Sequence, residues 1–486
     1  MATIRTPAQN PAQDPAAPGA PAPVPTPAEL LRSRGYLMIL VVAAVIGAPV
    51  ALVAYWFLQL VAHLQGWLYD DLPRGLQLGT PAWWPIPVLV TGGLLVALVI
   101  RYLPGQGGEK PAEGFQAGAV ASAVELPGIA LAALVTLGFG AVLGPEAPLI
   151  ALGGGLGAWA VTLLKRDAPA RAVALIGAAG SFSAISTLFG SPLLAAFLLL
   201  EVAGVGGAMT SLTLVPGLLA AGIGTLVFVG LDSLTGLGTT SLVIPDLPAV
   251  GSPTVAELGW ALAIGAGAAL LGSAIRALGL TLQPRVERRV LVATPALGLL
   301  VGLLVLLYTS ATDKPASDVL FSGQAAIGPL ITHSADYSAG ALLLLVVCKA
   351  TAYGLCLSGF RGGPVFPSMF VGAAGGLLLS HLPGLDPVAG AAMGIGSVCV
   401  VMLGFPLVSV LLATLLLFSD GIDVTPLVIV AVVVAYVGRA WLDPTSRTRS
   451  RGQPAAGSTG DAPPAAGAGS SGTAGTARTA GPSGGD

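Results

Sequence analysis

Two short blocks in this chain carry residue types at a spacing that suggests chemistry. Gly144-Pro145-Glu146-Ala147-Pro148 and Gly363-Pro364-Val365-Phe366-Pro367 share a Gly-Pro pair and a second proline three residues further on. Proline is pre-organised for the opening of a helix and lacks an N–H that would find no partner there. The next residues, Glu146 and Ala147 in one block and Val365 and Phe366 in the other, then present backbone N–H groups with no acceptor inside their helix. Such a helix start carries about half a positive charge and suits an anion. Two of them meeting at membrane depth would hold a monovalent anion without a fixed cation, and so release it readily. Glu146 adds a carboxylate that competes with a soluble anion for the same place; its protonation would empty that place, which makes it a gate.

The blocks belong to a longer repeat. Gly140 to Pro148 and Gly359 to Pro367 both read G-x-x-x-G-P-x-x-P, and the match continues with Gly153 and Gly372, then Gly157 and Gly376. Six positions coincide at one offset of 219. A looser echo pairs Gly190-Ser191-Pro192-Leu193 with Gly404-Phe405-Pro406-Leu407. We read a duplication, with halves over 29–250 and 251–442 and the ligand site between them.

The elements that must position these blocks are membrane helices. Of the 486 residues 54% are apolar and 9% charged, and the mean hydropathy is +0.86. Ordinary soluble domains carry charge on about 25% of residues, so a soluble globular enzyme is excluded; the net charge of -2 argues against nucleic acid. The composition predicts an all-α polytopic membrane protein. Apolar segments over 148–164, 192–204, 367–380 and 406–418 each open on a proline and fall short of the roughly 20 residues a crossing needs. Broken helices of that kind are tolerated when buried in protein or lining a polar cavity. Residues 1–28 and 443–486 read as disordered tails. Basic clusters at Arg32/Arg34, Lys165/Arg166/Arg171, Arg285/Arg288/Arg289 and Arg439 onward predict a cell-membrane protein with both termini cytoplasmic. The histidines His63, His333 and His381 are isolated and the three cysteines have no ligand spacing, so no metal and no cofactor are expected. Gly481-Pro482-Ser483-Gly484 spells a serine-enzyme motif only inside the expected tail, and the chain is read as a non-enzyme.

The first block resembles the G-R/K-E-G-P signature of the CLC family of chloride channels and chloride/proton antiporters, and Gly362 to Pro367 resembles its G-x-F-x-P signature. Gly105-Gln106-Gly107-Gly108-Glu109-Lys110-Pro111 stands in the place of the G-S-G-I-P signature. Gly190 to Leu193 with Glu201 resembles the A-P-L-x-x-x-x-F-x-x-E stretch, and Lys349 sits where many members carry lysine. The resemblance implies a homodimer of subunits, each built from two inverted homologous halves of tilted and broken helices around its own pore. It implies transport of chloride or another small monovalent anion, as a channel or transporter; the alternatives are an anion/proton antiporter or an exporter of fluoride or nitrate. By position, Glu146 would be the gate, Ala147, Val365 and Phe366 would face the anion, and Gln106, Gly107 and Gly108 would replace the pore serine without its hydroxyl. Pro364 removes one N–H donor, and Tyr436 is the nearest candidate for the pore tyrosine. Glu201 would be the structurally common glutamate, with Val202 in place of the antiporters' internal proton carrier.

Overall fold

The computed structural model describes residues 29–442 apart from 30, 115–119, 204–207, 238–242, 245–246, 248–250 and 418–420. Both expected tails, and Gly481 to Gly484 with them, lie outside the described residues. The chain up to Leu442 is one compact unit, and the described part of it is helical throughout with no named strand. In the first half follow α1 (Arg34–Gly66), α2 (Pro85–Tyr102), α3 (Leu126–Gly138), α4 (Glu146–Leu164), α5 (Ala170–Phe189), α6 (Pro192–Ala203) and α7 (Ala208–Thr235). The second half repeats that order with α8 (Val255–Arg288), α9 (Val290–Thr312), a short α10 (Gln324–Thr332), α11 (Ala339–Gly359), α12 (Val365–Leu379), α13 (Pro387–Leu403), α14 (Pro406–Leu417) and α15 (Gly421–Leu442).

Local chemistry sets several boundaries. Ser33, Ser338 and Asp386 accept backbone N–H groups at the starts of α1, α11 and α13, and Thr254 and Glu257 form a reciprocal capping box on α8. The Gly190/Gly404 echo has a structural cause. Both glycines end their helices in the left-handed region, at φ 64° and 83°, and Pro192 and Pro406 open the next helix two residues later. Three segments expected to be short are short: α6, α12 and α14 have 12, 15 and 12 residues. The fourth is not. Helix α4 starts at Glu146, two residues before the expected Pro148, and its 19 residues reach crossing length. The prolines also sit one position earlier than expected, since Pro145 and Pro364 are the N-cap residues and not the first helical ones.

The repeated glycines explain how each half is packed. An added Cβ at Gly153 would strike the Gly180 carbonyl and Ala184, and one at Gly157 the Ile176 carbonyl, so α4 lies directly on α5. In the second half Gly372 meets Gly394 and Gly376 meets Gly390 in the same way, laying α12 on α13. Small residues at such crossings let backbones approach closely, the main source of helix association where lipid is as apolar as leucine.

The two halves point in opposite directions. Helix α1 ends beside a cavity lined by Gln65, Leu143, Pro145 and Phe321, whereas its start packs near Leu164 and Arg171 around another. Helix α4 therefore runs toward the face where α1 begins. Helix α12 runs the other way, because His381 beyond its end contacts the Tyr337 carbonyl at 3.1 Å, and Tyr337 bonds Asp318, just past the end of α9. Replacing Gly394 with valine should cost about 1–3 kcal/mol through overpacking, seen as a lower unfolding temperature in detergent. Gly375→Ala, where nothing lies within 4 Å of the added Cβ, should leave that temperature unchanged or slightly raised.

Candidate functional site

The two blocks meet at equivalent residues. Gly144 N–H donates to the Gly363 carbonyl at 2.7 Å, and Gly363 N–H donates back to the Gly144 carbonyl at 2.5 Å, an isolated antiparallel bridge. The starts of α4 and α12 are thereby fixed against each other in the interior, with Gly144, Pro145, Pro148, Gly363, Pro364 and Pro367 all buried. Further contacts stitch the loops together. Val142 N–H points to Cys356 Sγ at 3.3 Å, Arg361 N–H donates to Thr136 Oγ1 at 3.3 Å, and the Phe189 and Phe366 rings lie 5.6 Å apart.

Glu146 occupies the junction. It is fully buried, and its Oε1 accepts the Phe366 N–H at 2.8 Å. The carboxylate thus reaches across the bridge and sits on the start of the opposite helix, where a free anion would otherwise be held. Its Oε2 has no hydrogen-bond partner among the described residues. A Cβ at either Gly144 or Gly363 would collide with this carboxylate, so both glycines are required by the side chain between them. Tyr353, fully buried on α11, donates from its hydroxyl to the Pro364 carbonyl at 2.8 Å.

Two cavities approach the junction from opposite ends of the molecule. One, of about 420 Å³, is lined by Leu143, Pro145 and the segment Ser317 to Ala326 that follows α9. The other, of about 630 Å³, is lined by Gln106, Lys110, Ser358, Arg361 and Val290, the first residue of α9. Helix α9 has 23 residues, about 34 Å at 1.5 Å each, which separates the two mouths. Gly144, Glu146 and Gly363 lie between Pro145 of one cavity wall and Arg361 of the other.

Glu146 accepts the Phe366 N–H, and Ala147 and Val365 stand beside them in the first turns of α4 and α12. Gln106, Gly107 and Gly108 form a turn in which every residue from Gly105 to Gly108 has positive φ, and Arg361 Nε donates to the Gln106 carbonyl at 3.2 Å. Tyr436 is not in the pore, since it is 43% exposed on α15. Glu201 is a structural cap across the halves, its two oxygens accepting from Leu407 N–H at 2.9 Å and Val408 N–H at 2.8 Å at the start of α14. Lys349 is fully buried, donates to the Leu320 and Phe321 carbonyls at 2.9 and 3.3 Å, and stands over the Phe370 ring. It anchors the loop that lines the smaller cavity. Asp318 on that loop accepts from Tyr308 and Tyr337, and burial pushes its carboxyl up despite them. Tyr353, Thr136 and Cys356 were missed; lone polar residues in apolar runs carry no periodic signal. No cluster of metal-ligating residues occurs among the described residues.

A family model described as the voltage gated chloride channel matches residues 92–439. The YfeO proteins of Escherichia fergusonii and of Escherichia coli O7:K1, both named as ion-transport proteins, are each 29% identical over 361 residues, covering 72% of this chain and 81% of theirs. Among solved structures, a slow cyanobacterial Cl-/H+ antiporter superposes with a TM-score of 0.67 at 19% identity, over 83% of this chain and 94% of its own. A CLC-type fluoride/proton antiporter gives 0.60 at 22% identity, over 83% and 96%. At such identities the likeness establishes the fold.

If Glu201 is a cap, Glu201→Ala should lower stability by about 1.5–3 kcal/mol, the worth of hydrogen bonds to a charged acceptor. Thermal unfolding in detergent measures this; an unchanged unfolding temperature would remove the cap from the account.

Proposed function

This chain belongs to the voltage-gated chloride channel family, whose model spans most of it, and we propose that it carries a small monovalent anion, chloride foremost, through the bilayer past a carboxylate gate at Glu146. One observation supports the gate above all others: the Glu146 carboxylate is seated on the Phe366 N–H at the start of the opposite helix. Seated and charged, it holds the place of the anion; protonated, it loses its attraction to that helix start and yields the place. The cavities at either end of the junction are the approaches. Transport, and not enzymatic turnover, is the activity proposed, and homodimeric assembly follows from the family resemblance.

The face bearing the larger cavity is the cytoplasmic one in this reading. Arg101 and Lys110 line that cavity, and Arg285, Arg288 and Arg289 stand at the turn between α8 and α9 beside it. The start of α1 and the basic turn after α4 share one side of the molecule, which the positive-inside rule assigns to the cytoplasm. The second reading is proton-coupled exchange, favoured by the antiporter titles of the structural neighbours. Against it stands Val202, an apolar side chain at the position the resemblance gives to the internal proton carrier.

Chloride-loaded liposomes containing the protein should lose chloride when valinomycin is added, read with a silver electrode. Flux should rise as pH falls and decline as pH rises, because the charged carboxylate blocks. Glu146→Gln should abolish that slope while leaving flux; a retained slope would exclude Glu146 as the gate. Gly363→Ala, which dislodges the same carboxylate sterically, should raise flux on the alkaline side. A chloride gradient should drive little proton uptake, and strong uphill proton movement would favour the exchanger. Repeating the assay with fluoride and nitrate ranks the substrates.

A further inference from the structure

Where α1 begins and α4 turns into α5, a cavity of about 540 Å³ lies apart from the junction. Its wall is apolar: Met38, Ile39 and Val42 of α1 line it with Val161 and Leu164 of α4 and Leu175 of α5. Val161 and Leu175 are buried, whereas Met38 and Leu164 are 63% and 77% exposed, so the cavity opens on the flank of the helix layer. Two polar groups in the wall are spent inside the protein. The Tyr36 hydroxyl donates to the Leu212 carbonyl at 3.2 Å, and Ser33 Oγ accepts the Tyr36 N–H at 3.1 Å. Lys165 and Arg171, both exposed, line the end of the cavity at the turn between α4 and α5. Arg32, Arg34 and Arg166 flank the same lining segments, and Glu29 and Asp167 are the carboxylates along them. Five cations stand against two carboxylates, an excess that remains however the individual pairs form.

From Gly35 to Val42 the wall follows α1 for about 10 Å into the helix layer. A small inorganic anion would meet the cations and gain nothing from that depth. A purely apolar molecule would fill the depth and gain nothing from the cations. An acidic membrane lipid has both parts, and basic pockets between membrane helices at the cytoplasmic surface take such headgroups. We propose that this cavity binds one acidic glycerophospholipid, its phosphate at Lys165 and Arg171 and an acyl chain laid against Met38, Val42 and Leu175. The lipid ties together the start of α1, the end of α4 and the start of α5. Helix α4 opens at Glu146 and has 19 residues, so the site stands about 28 Å along it from the junction. Its existence is therefore independent of what crosses the bilayer there.

Native mass spectrometry of the full chain in detergent, titrated with phosphatidylglycerol or with phosphatidylcholine, reads the lipids held and the state of assembly together. One phosphatidylglycerol per subunit should be retained, at least about fivefold more tightly than phosphatidylcholine. Lys165→Gln and Arg171→Gln should each weaken its retention about fivefold, the worth of one cation at an acidic surface. Gly35→Phe keeps every charge and fills the space. An added Cβ there meets nothing nearer than Ser33 Oγ at 4.0 Å, so this variant should fold and yet lose the tight lipid. Phosphatidylglycerol should raise the unfolding temperature of the unmodified protein and not that of Gly35→Phe. Equal retention of the two lipids would overturn the proposal. So would Gly35→Phe holding phosphatidylglycerol as tightly as the unmodified chain, since binding would then be to the charged surface and not to the cavity. Phosphatidylglycerol held by single subunits and expelled as they pair would give the cavity to a second copy, and overturn the proposal equally.

Discussion

A pair of backbone hydrogen bonds between Gly144 and Gly363 is the constraint on which the rest of the molecule depends. It fixes two helix starts, from opposite halves and aimed in opposite directions, at one buried point. Each start alone is an ordinary helix end with unpaired N–H groups. Joined, they create a spot of positive potential inside protein and lipid, with no side-chain cation within it. The close crossings of α4 on α5 and of α12 on α13 hold each start rigidly to its own half. The bridge then needs to define only one relative position, and glycine at both ends leaves space for the Glu146 carboxylate.

Much of this was legible in the sequence. The Gly-Pro blocks, their common offset, and the glycines at 153, 157, 372 and 376 encode local backbone geometry, and local geometry survives in spacing. What crosses between the halves does not. The sequence suggests that Glu146 competes with an anion, but not which N–H its carboxylate meets: that of Phe366, 220 positions away. Glu201 likewise serves Leu407 and Val408. Tyr436 was sought in the last helix because the family resemblance placed a hydroxyl there; the helix turns that residue outward, while Tyr353, hidden in an apolar run, stands at the junction. The length of α4 was underestimated because its first turn begins at the glutamate and not at the following proline.

The polar groups divide by task. At the junction, neutral amides hold charge loosely, which suits passage. Away from it, full charges fix structure: Lys349 ties down the loop at Leu320 and Phe321, Glu201 closes the start of α14, and Lys110 binds Glu113 and Glu287. Strong interactions are thus spent where nothing should move. Weak ones are kept where an ion must come and go.

Because the bridge joins residues from the two halves, no part of the binding spot exists while the chain is half made. During synthesis Glu146 leaves the ribosome 220 residues before the Phe366 N–H that donates to its carboxylate. Until then its carboxylate must be neutral or wet, a state that apolar surroundings tolerate only at a cost.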